Sequence, residues 1–258
     1  MKAAIVTGAS GGLGSAVARA LAKEGYALAL AGRNNTVLGD LAHEITQAGG
    51  TTMVRTFDLH YSSQVAKFVH DVHEVYHEID AVVNCAGTVH PRREFESLYL
   101  DDLRKTFWVN TFGPFFLMKA VLPLFKEQNR GMIINVASKS ARSPAPGFGI
   151  YSASKAALVA LTQTVAVEAM RSGRNITAIT VSPSGMSGRM RASVYGEEEA
   201  KQQQSPEFVA QVIASIVTLG YPQYVGGPPV WVNGPIPNGA DVLIWKAEVR
   251  VFPMEDLR

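Results

Sequence analysis

Short apolar runs alternate with longer amphipathic segments along most of the chain. The apolar runs predict strands at 3–7, 27–31, 52–57, 81–84, 132–137, 176–181 and 228–232. The segments between them repeat apolar residues at helical spacing and predict helices at 13–24, 36–47, 63–76, 100–126, 151–171 and 206–219. Several runs are apolar throughout, which is typical of strands buried on both faces. The alternation predicts an α/β fold, a doubly wound parallel sheet of about seven strands with helices on both faces.

Two stretches of the predicted helices are apolar on nearly every side, at 110–125 and 156–167. Because such a helix needs cover all round, we expect a second copy of the chain to cover the face turned away from the sheet. The chain's own C-terminal segment is the alternative cover. A membrane span is not expected, because Asn110, Pro114 and Lys119 interrupt the stretch 107–125.

The composition excludes several classes of protein. Apolar residues make up 47% and charged residues 18%, which is typical of a globular protein. A net charge of +2 excludes a strongly basic nucleic-acid-binding protein. With one cysteine, Cys85, the chain has no internal disulfide, which indicates a reducing compartment. The N-terminal residues lack a secretory pattern, so we expect a cytoplasmic protein, and the length of 258 residues suits one domain. The His, Cys and Asp residues lack metal-ligand spacing, so no metal is predicted.

A glycine-rich segment follows the first predicted strand and opens the first predicted helix, with Gly8, Gly12 and Gly14 as its key positions. Glycine lets the backbone turn tightly and approach a ligand closely, and a helix N-terminus offers unpaired N–H groups to a phosphate. The strand–turn–helix context favours a dinucleotide site over a plain tight turn. The spacing Gly-x-x-x-Gly-x-Gly differs, however, from the Gly-x-Gly-x-x-Gly fingerprint.

A second group of residues indicates acid–base chemistry. Tyr151 and Lys155 are four positions apart and share one face of a predicted helix. An ammonium beside a phenol lowers the pKa of the phenol, which could then pass a proton to a carbonyl oxygen near neutral pH. Taken alone, the same spacing is equally that of an ordinary helix-face pair. Ser138 lies thirteen positions before Tyr151, at the end of the fifth predicted strand.

These motifs, taken in order along residues 1–235, resemble the short-chain dehydrogenase/reductase family. The matching positions are Thr7 and the glycines after it, then Asn110, Ser138, Tyr151 and Lys155. The resemblance implies a single-domain Rossmann-type fold and hydride transfer between a nicotinamide cofactor and a carbonyl or secondary alcohol. It implies that Ser138 orients the carbonyl, that Tyr151 is the proton donor, and that the backbone of Asn110 helps to hold a relay water. Lys155 would lower the pKa of Tyr151 and hold the nicotinamide ribose.

The resemblance also implies a set of cofactor contacts at the ends of successive strands. They are Gly8, Ser10, Gly12, Leu13, Gly14, Arg33, Asn34, Asp58, Leu59, Asn84, Ala86, Gly87, Tyr151, Lys155, Pro183, Met186 and Ser187. Arg33 stands where a carboxylate would bind a ribose hydroxyl, so NADPH is predicted, with NADH as the alternative. Arg33 could instead be solvated or stacked on the adenine. Asp58 would bind the adenine amino group or cap the next helix. Cys85 is predicted to be a structural thiol rather than a nucleophile.

The sequence departs from the family pattern after the sixth predicted strand. Ser184 replaces the glycine of a Pro-Gly pair and Gly188 stands where a threonine is expected, which leaves Ser187 as the predicted donor to the nicotinamide amide. The segment 188–204, a substrate lid in the family, is short and polar. It indicates an open pocket or a loop without selectivity. Residues 236–258 form a C-terminal extension in which 241–252 is apolar enough for a strand pair or an oligomer contact.

Basic residues are expected around the mouth of the pocket. They are Arg92, Arg93, Lys139, Arg142, Arg189 and Arg191. This predicted basic cluster would attract an anionic substrate or an acidic acyl carrier protein, and a scattered solvated surface is the alternative. His90, near the same site, is predicted to lie on the polar surface.

The sequence thus predicts an NADPH-dependent ketoreductase acting on a 3-oxoacyl thioester or another ketone. The alternatives are an NAD(P)+-dependent dehydrogenase of a sugar or steroid-like alcohol, and a non-catalytic NADP(H)-binding sensor. We expect a homodimer or homotetramer formed through helices 107–126 and 151–171, with neither nucleic acid nor membrane as a partner.

Overall fold

One eight-stranded sheet runs through the part of the chain that the structure describes. This structure is a computed structural model and describes residues 1–219, 236–245 and 248–253. The strands are β1 Ala3–Thr7, β2 Ala27–Gly32, β3 Thr52–Thr56, β4 Ala81–Asn84, β5 Arg130–Val136, β6 Asn175–Pro183, β7 Asp241–Trp245 and β8 Glu248–Phe252. Their order is β3-β2-β1-β4-β5-β6-β7-β8, and every pairing is parallel except that of β7 with β8. The predicted doubly wound fold is confirmed, with one strand more than the sequence indicates.

Helices cover both faces of this sheet. They are α1 Gly12–Lys23, α2 Asn35–Gln47, α3 Ser62–Tyr76, α4 Leu100–Phe107, α5 Gly113–Glu127, α6 Gly149–Arg171, α7 Arg189–Tyr195, α8 Glu197–Lys201 and α9 Pro206–Leu219. One core joins α1, α2 and α9 to the sheet, and the other joins α3, α5 and α6 to its opposite face. The helix α1 illustrates the pattern, since Leu13, Val17 and Leu21 are spaced four apart and are all buried.

The predicted helix 100–126 is interrupted in the middle. A π-helical segment, Trp108–Phe112, joins α4 to α5. At its centre Asn110 is fully buried, donates to the carbonyl of Thr88 at 2.9 Å and accepts from the N–H of Thr88 at 2.8 Å. The wider turn therefore brings a buried amide against the loop that follows β4. Single π turns inside helices often occur at functional sites.

The C-terminal extension supplies the last two strands of the sheet. Asp241–Trp245 pairs in parallel with β6, and Glu248–Phe252 returns antiparallel beside it. The expected strand at 228–232 lies outside the described residues. The apolar segment 241–252 thus forms a strand pair, one of the two arrangements that the sequence predicts for it.

Within the described part of the chain, two helical stretches are long and apolar enough to cross a membrane, judged by length and composition alone: Leu100–Glu127 and Gly149–Arg171. In the fold, α5 and α6 contribute residues to the core on one face of the sheet. Their outer sides keep large apolar side chains in solvent, among them Phe115, which is 38% exposed, and Met170, which is 50% exposed.

Candidate active site

A cleft of about 1840 Å³ opens along the carboxyl ends of the parallel strands. It lies where the sheet order reverses between β1 and β4, the position at which open α/β sheets bind ligands. Its volume exceeds the roughly 300–1,000 Å³ of a typical small-ligand pocket, so a dinucleotide and a second molecule fit together. The predicted residues that line it are Gly8, Ser10, Gly12, Leu13, Gly14, Arg33, Asn34, Asp58, Leu59, Ala86, Gly87, Ser138, Tyr151, Lys155, Pro183, Met186 and Ser187.

Asn84, a predicted cofactor contact, lies beneath the cleft and not on its wall. Its amide donates to Oδ1 of Asn135 at 2.8 Å, and its own Oδ1 accepts from the hydroxyl of Thr7 at 3.2 Å. All three side chains are buried. The predicted contact of Asn84 is therefore corrected, because its polar atoms are used to link β1, β4 and β5 below the loop at Cys85–Gly87.

Asn110 also lies behind the cleft wall. Besides its bonds to Thr88, its amide donates to the hydroxyl of Ser154 on α6 at 3.0 Å. Ser154 in turn donates to the carbonyl of Tyr151 at 2.7 Å. The side chain of Asn110 thus ties the π segment to the first turns of the helix that carries Tyr151 and Lys155.

The glycine-rich loop forms a close-packed cradle for an anion. Gly8 has φ of +65°, and a Cβ there would lie 2.7 Å from the backbone of Ala86. A Cβ on Gly14 would lie 2.2 Å from the carbonyl oxygen of Gly8, so only glycine permits this contact between helix and loop. Helix α1 begins after Gly11 without a side-chain cap or an acidic residue in its first turn. Its first N–H groups and positive dipole end suit the diphosphate of a dinucleotide.

The far end of the cleft carries one exposed cation and one carboxylate. Arg33 is exposed at the end of β2. Burial alone would raise the pKa of Asp58, but hydrogen bonds from the ring and the N–H of His60, together with the charge of Arg33, hold it below its ordinary value. Asp58 does not cap α3, which starts at Ser62 after Tyr61. Its Oδ1 is instead bonded to the N–H of His60 at 3.0 Å and to the His60 ring at 2.6 Å, and the residue lines the cleft.

The predicted Ser–Tyr–Lys set comes together at the centre of the cleft. Ser138 follows β5 and begins a short 3₁₀ turn, where its hydroxyl accepts from the N–H of Ser140 at 3.1 Å. Burial raises the pKa of Tyr151, and the nearby hydroxyl of Ser138 opposes that rise only in part. The phenol is therefore protonated at neutral pH, as a proton donor must be.

Lys155 is buried beside this pair and has an unusual protonation equilibrium. Its side chain is 3% exposed, and its Nζ donates to the carbonyl of Val136 at 2.7 Å. Burial lowers the pKa of Lys155 to about 8, and the neighbouring Cys85 counteracts this slightly. The predicted lowering of the Tyr151 pKa by Lys155 is not seen, since the net shift of Tyr151 is upward. The reason is that burial of the phenol outweighs the effects that favour its ionised form.

Cys85 lines the cleft near Lys155 as an unreactive thiol. Burial raises its pKa to about 12, although the charge of Lys155 lowers it in part. A thiol with such a pKa stays protonated and is a poor nucleophile. The structure thus supports the prediction of a structural cysteine.

The segment 188–204 folds into two short helices, α7 and α8, that are braced against each other. Nε of Arg191 on α7 donates to Glu199 on α8 at 2.8 Å, and the same carboxylate accepts from Gln203 at 2.7 Å. The backbone of Ser187 bonds to Gln204 at 2.9 Å, which closes the segment onto the loop after β6. The lid is therefore an ordered wall of the cleft.

Arg189, predicted at the mouth of the pocket, makes a contact that the sequence analysis does not predict. Its guanidinium donates to the carbonyl of Ser10 at 3.4 Å. This contact brings an exposed cation across the cleft to the glycine-rich loop. The sequence feature that could have drawn attention to Arg189 is its position directly after Gly188, which stands where the family has a threonine.

Half of the predicted basic cluster at the mouth is neutralised. Three of its cations pair with carboxylates: Arg93 with Asp102 at 3.7 Å, Arg142 with Asp241 at 2.6 Å and Arg191 with Glu199 at 2.8 Å. Lys139 and Arg189 line the cleft. His90 is not on the polar surface, since it is 3% exposed and its Nδ1 bonds to the carbonyl of Pro91 at 2.7 Å. The strong positive patch expected from the sequence is reduced.

Comparisons with known sequences agree with this geometry. The family model described as short chain dehydrogenase matches residues 2–199. A ketoacyl reductase of Nostoc sp., HetN, is 31% identical over 74% of this chain and 68% of its own length. An uncharacterized oxidoreductase of Staphylococcus aureus is 31% identical over 87% of this chain and 93% of its own length. The glycine betaine reductase ATRR of Emericella nidulans is 32% identical over 87% of this chain, a match that spans 18% of that longer protein.

Solved structures share the fold over most of the chain. An alcohol dehydrogenase from the archaeon Thermococcus sibiricus, complexed with 5-hydroxy-NADP, is 30% identical with a TM-score of 0.78, covering 85% of this chain and 91% of that one. Levodione reductase is 25% identical with a TM-score of 0.79, covering 84% of this chain and 90% of that one. The cleft, its Ser–Tyr–Lys set and these similarities lead to one conclusion: the chain is an oxidoreductase that belongs to the short-chain dehydrogenase/reductase family.

Proposed function

We propose that this protein is an NADPH-dependent carbonyl reductase acting on ketones. The observation that carries the proposal is that Ser138, Tyr151 and Lys155 line one cleft, which is large enough for a dinucleotide and a substrate. A protonated phenol in hydrogen-bond reach of a hydroxyl is a suitable partner for one carbonyl oxygen. A protein that only senses a dinucleotide does not need such a donor.

The chain's own residues orient the substrate and move one proton. NADPH, when bound, supplies the hydride that reduces the carbonyl carbon. The hydroxyl of Ser138 and the phenol of Tyr151 hold the carbonyl oxygen between them, and Tyr151 gives its proton to that oxygen as negative charge develops. Lys155, cationic below its pKa of about 8, stabilises the phenolate that remains and would hold the nicotinamide ribose of a bound cofactor.

The preference for NADPH over NADH rests on Arg33. This exposed cation directly follows the carboxyl end of β2, and residues 31–34 contain no carboxylate to bind a ribose hydroxyl. A guanidinium binds a 2′-phosphate through paired donors. The diphosphate would be held by the α1 N-terminus at Gly12–Gly14 and by Arg189.

The substrate we propose is a ketone, with a 3-oxoacyl thioester as the leading case. The name of the Nostoc relative, a ketoacyl reductase, supports this case. Because three of the six predicted mouth cations are paired with carboxylates, we propose recognition of the acyl part rather than of an acidic carrier protein. Rates on a carrier-bound substrate would then change little with salt, whereas a steep fall with salt would indicate an acidic carrier as the partner.

We further propose a cytoplasmic homodimer or homotetramer. The exposed apolar residues Phe112 and Phe115 on the π segment and α5, and Met170 on α6, support contacts between copies through helices 107–126 and 151–171. Apolar surface of this kind is the usual mark of a protein interface.

The test is NADPH consumption with a panel of carbonyl compounds, run in parallel with NADH. The panel holds 3-oxoacyl thioesters, β-keto esters, diketones, quinones, steroids and ketoses. We expect turnover with at least one ketone, and faster turnover with NADPH than with NADH. Arg33→Met should reduce this preference for NADPH about tenfold or more, because the variant loses a charged hydrogen bond to the 2′-phosphate. Equal use of NADH by the wild type would contradict the cofactor assignment. Oxidation of alcohols by NADP+ without any carbonyl reduction would contradict the direction.

A further inference from the structure

A charged residue lies completely buried at the start of β7. Asp241 has no exposed surface. Its Oδ1 accepts from the hydroxyls of Thr180 at 2.9 Å and Ser182 at 2.6 Å, both on β6. Its Oδ2 accepts from Nε of Arg142 at 2.6 Å. A buried carboxylate is stable only when it is paired and hydrogen-bonded, so Asp241 depends on Arg142 as its counter-ion.

Arg142 ends the 3₁₀ turn that Ser138 begins. The turn Lys139–Ala141 has Ser138 at its N-terminal end and Arg142 at its C-terminal end. The guanidinium of Arg142 also lies over the ring of Phe252 on β8, 4.4 Å from the ring centroid. Both strands of the C-terminal pair therefore hold the same arginine, one by charge and one by stacking.

The two ends of the turn are mechanically connected. Ala141 donates its N–H to the carbonyl of Ser138 at 2.9 Å, and Arg142 donates its N–H to the carbonyl of Lys139 at 3.0 Å. A shift of Arg142 would therefore be passed to Ser138 through a short, fully bonded segment. Asp241 also bonds to Ser182, next to Pro183 on the opposite wall of the cleft. The same carboxylate thus links both walls.

We infer that Arg142 and Asp241 are positioning residues, through which the C-terminal strands β7 and β8 hold the Ser138 turn in its reactive geometry. Neither side chain needs to touch the substrate. The inference rests on the proposed function, because it assigns Ser138 to the carbonyl oxygen. It gives the C-terminal extension a role in catalysis that its sequence alone does not indicate.

The test compares Arg142→Met with Arg142→Lys. A misplacement of about 1 Å at a reacting group costs on the order of 100-fold in rate, so we expect Arg142→Met to lower kcat about 10- to 100-fold. The dissociation constant for NADPH should change less than about twofold, since the cofactor contacts remain. Arg142→Lys keeps the charge and should restore part of the lost kcat. Asp241→Asn, which keeps an acceptor for the two hydroxyls, should resemble Arg142→Met.

Arg130→Met is the matched control. Arg130 lies at the opposite end of β5 and pairs with Asp80 at 3.4 Å and with Glu78. Arg130→Met also removes an arginine–carboxylate contact, and we expect kcat to stay within about twofold because Arg130 is remote from the Ser138 turn. A fall in kcat for Arg130→Met equal to that for Arg142→Met would make the effect one of general stability and would overturn the inference.

Hydrogen exchange separates this inference from the proposed function. In Arg142→Met without any substrate, the amides of Ser140, Ala141 and Arg142 should exchange about tenfold or more faster than in the wild type. Unchanged exchange, or an unchanged kcat in a folded variant, would overturn the inference. If the wild type reduces no carbonyl, the proposed function fails, and the exchange of these amides still decides whether Arg142 holds the turn.

Discussion

At the scale of single residues, the site combines a protonated phenol with a lysine close to its midpoint of ionisation. Tyr151 keeps its proton because burial raises its pKa, whereas burial lowers the pKa of Lys155 to about 8. The spacing of Tyr151 and Lys155 in the sequence predicts that they share a helix face. It could not predict their pKa values, which depend on residues from other elements, such as Val136 and Cys85, that enclose the lysine.

The lysine predicts a pH dependence. Lys155 is cationic below its pKa of about 8 and neutral above it, so we expect kcat/KM for NADPH to be level below pH 8 and to fall about tenfold per pH unit above it. The free energy of unfolding, in contrast to the rate, should rise with pH above pH 8. Lys155 regains its ordinary pKa of 10.5 on unfolding, so the unfolded state binds more protons between pH 8 and 10.5. The contribution of Lys155 to the free energy of unfolding therefore increases across that pH range. A rate profile that stays level to pH 10 would contradict the role of the charged lysine.

Arg189 predicts an effect on cofactor binding. Because its guanidinium reaches the carbonyl of Ser10 in the glycine-rich loop, it is placed to bind the diphosphate. We expect Arg189→Met to weaken NADPH binding about tenfold or more, the contribution of a charged hydrogen bond. Isothermal titration measures this directly. Arg104→Met, which removes an exposed arginine from α4, is the control for the loss of one charge. Equal Kd values for the two variants would argue against a contact between Arg189 and the cofactor.

At the scale of secondary-structure elements, the apolar pattern of the sequence predicts the elements that depend on local residues, but not those that depend on long-range contacts. The apolar runs predict β1 to β6 to within a few residues, because strands buried on both faces must be apolar. The π segment at Trp108–Phe112 escaped prediction, since it is specified by the bonds of Asn110 to Thr88 and Ser154 and not by apolar spacing. The place of β7 beside β6 is likewise fixed by a long-range contact, that of Asp241 with Thr180.

The junction of β1 with α1 predicts a contrast between two glycines. A Cβ at Gly14 would lie 2.2 Å from the carbonyl oxygen of Gly8, whereas one at Gly12 would meet only the side chain of Pro206 at 3.7 Å. We expect Gly14→Ala to lower the free energy of unfolding by about 1–3 kcal/mol or more, as overpacking does. Gly12→Ala should change it by less than about 0.5 kcal/mol. Urea denaturation without cofactor measures both, and equal values would contradict the close contact.

At the scale of the whole molecule, the sheet gathers its chemistry at one edge. Because parallel strands end on the same side, the loops after β1 to β6 all contribute to one cleft, although the residues that line it extend from Thr7 to Gln204. This convergence follows from the fold class, so the sequence predicts most of the site. It does not predict the pairing of charges across long separations. Three of the six expected mouth cations are paired in this way, with Asp102, Asp241 and Glu199.

The exposed apolar side of α5 predicts the assembly state. Phe115 is 38% exposed on a helix that also contributes Leu117 and Val121 to the core. If copies of the chain meet through this helix, Phe115→Glu should shift the protein towards the monomer, because a charge buried at an interface is costly. Light scattering after size-exclusion chromatography measures the mass. Phe95→Glu, at another exposed phenylalanine outside the predicted interface, is the control. A monomeric wild type would contradict this mode of assembly.

The central claim is that Tyr151 donates the proton in carbonyl reduction, and Tyr151→Phe tests it most directly. The variant keeps the ring and removes only the hydroxyl, so NADPH should still bind. We expect kcat for the best ketone of the panel to fall about 10²- to 10⁴-fold, the usual contribution of a general acid. Tyr195→Phe, at a second tyrosine of the cleft, is the matched control and should keep nearly full activity. Near-wild-type reduction by Tyr151→Phe would contradict the account.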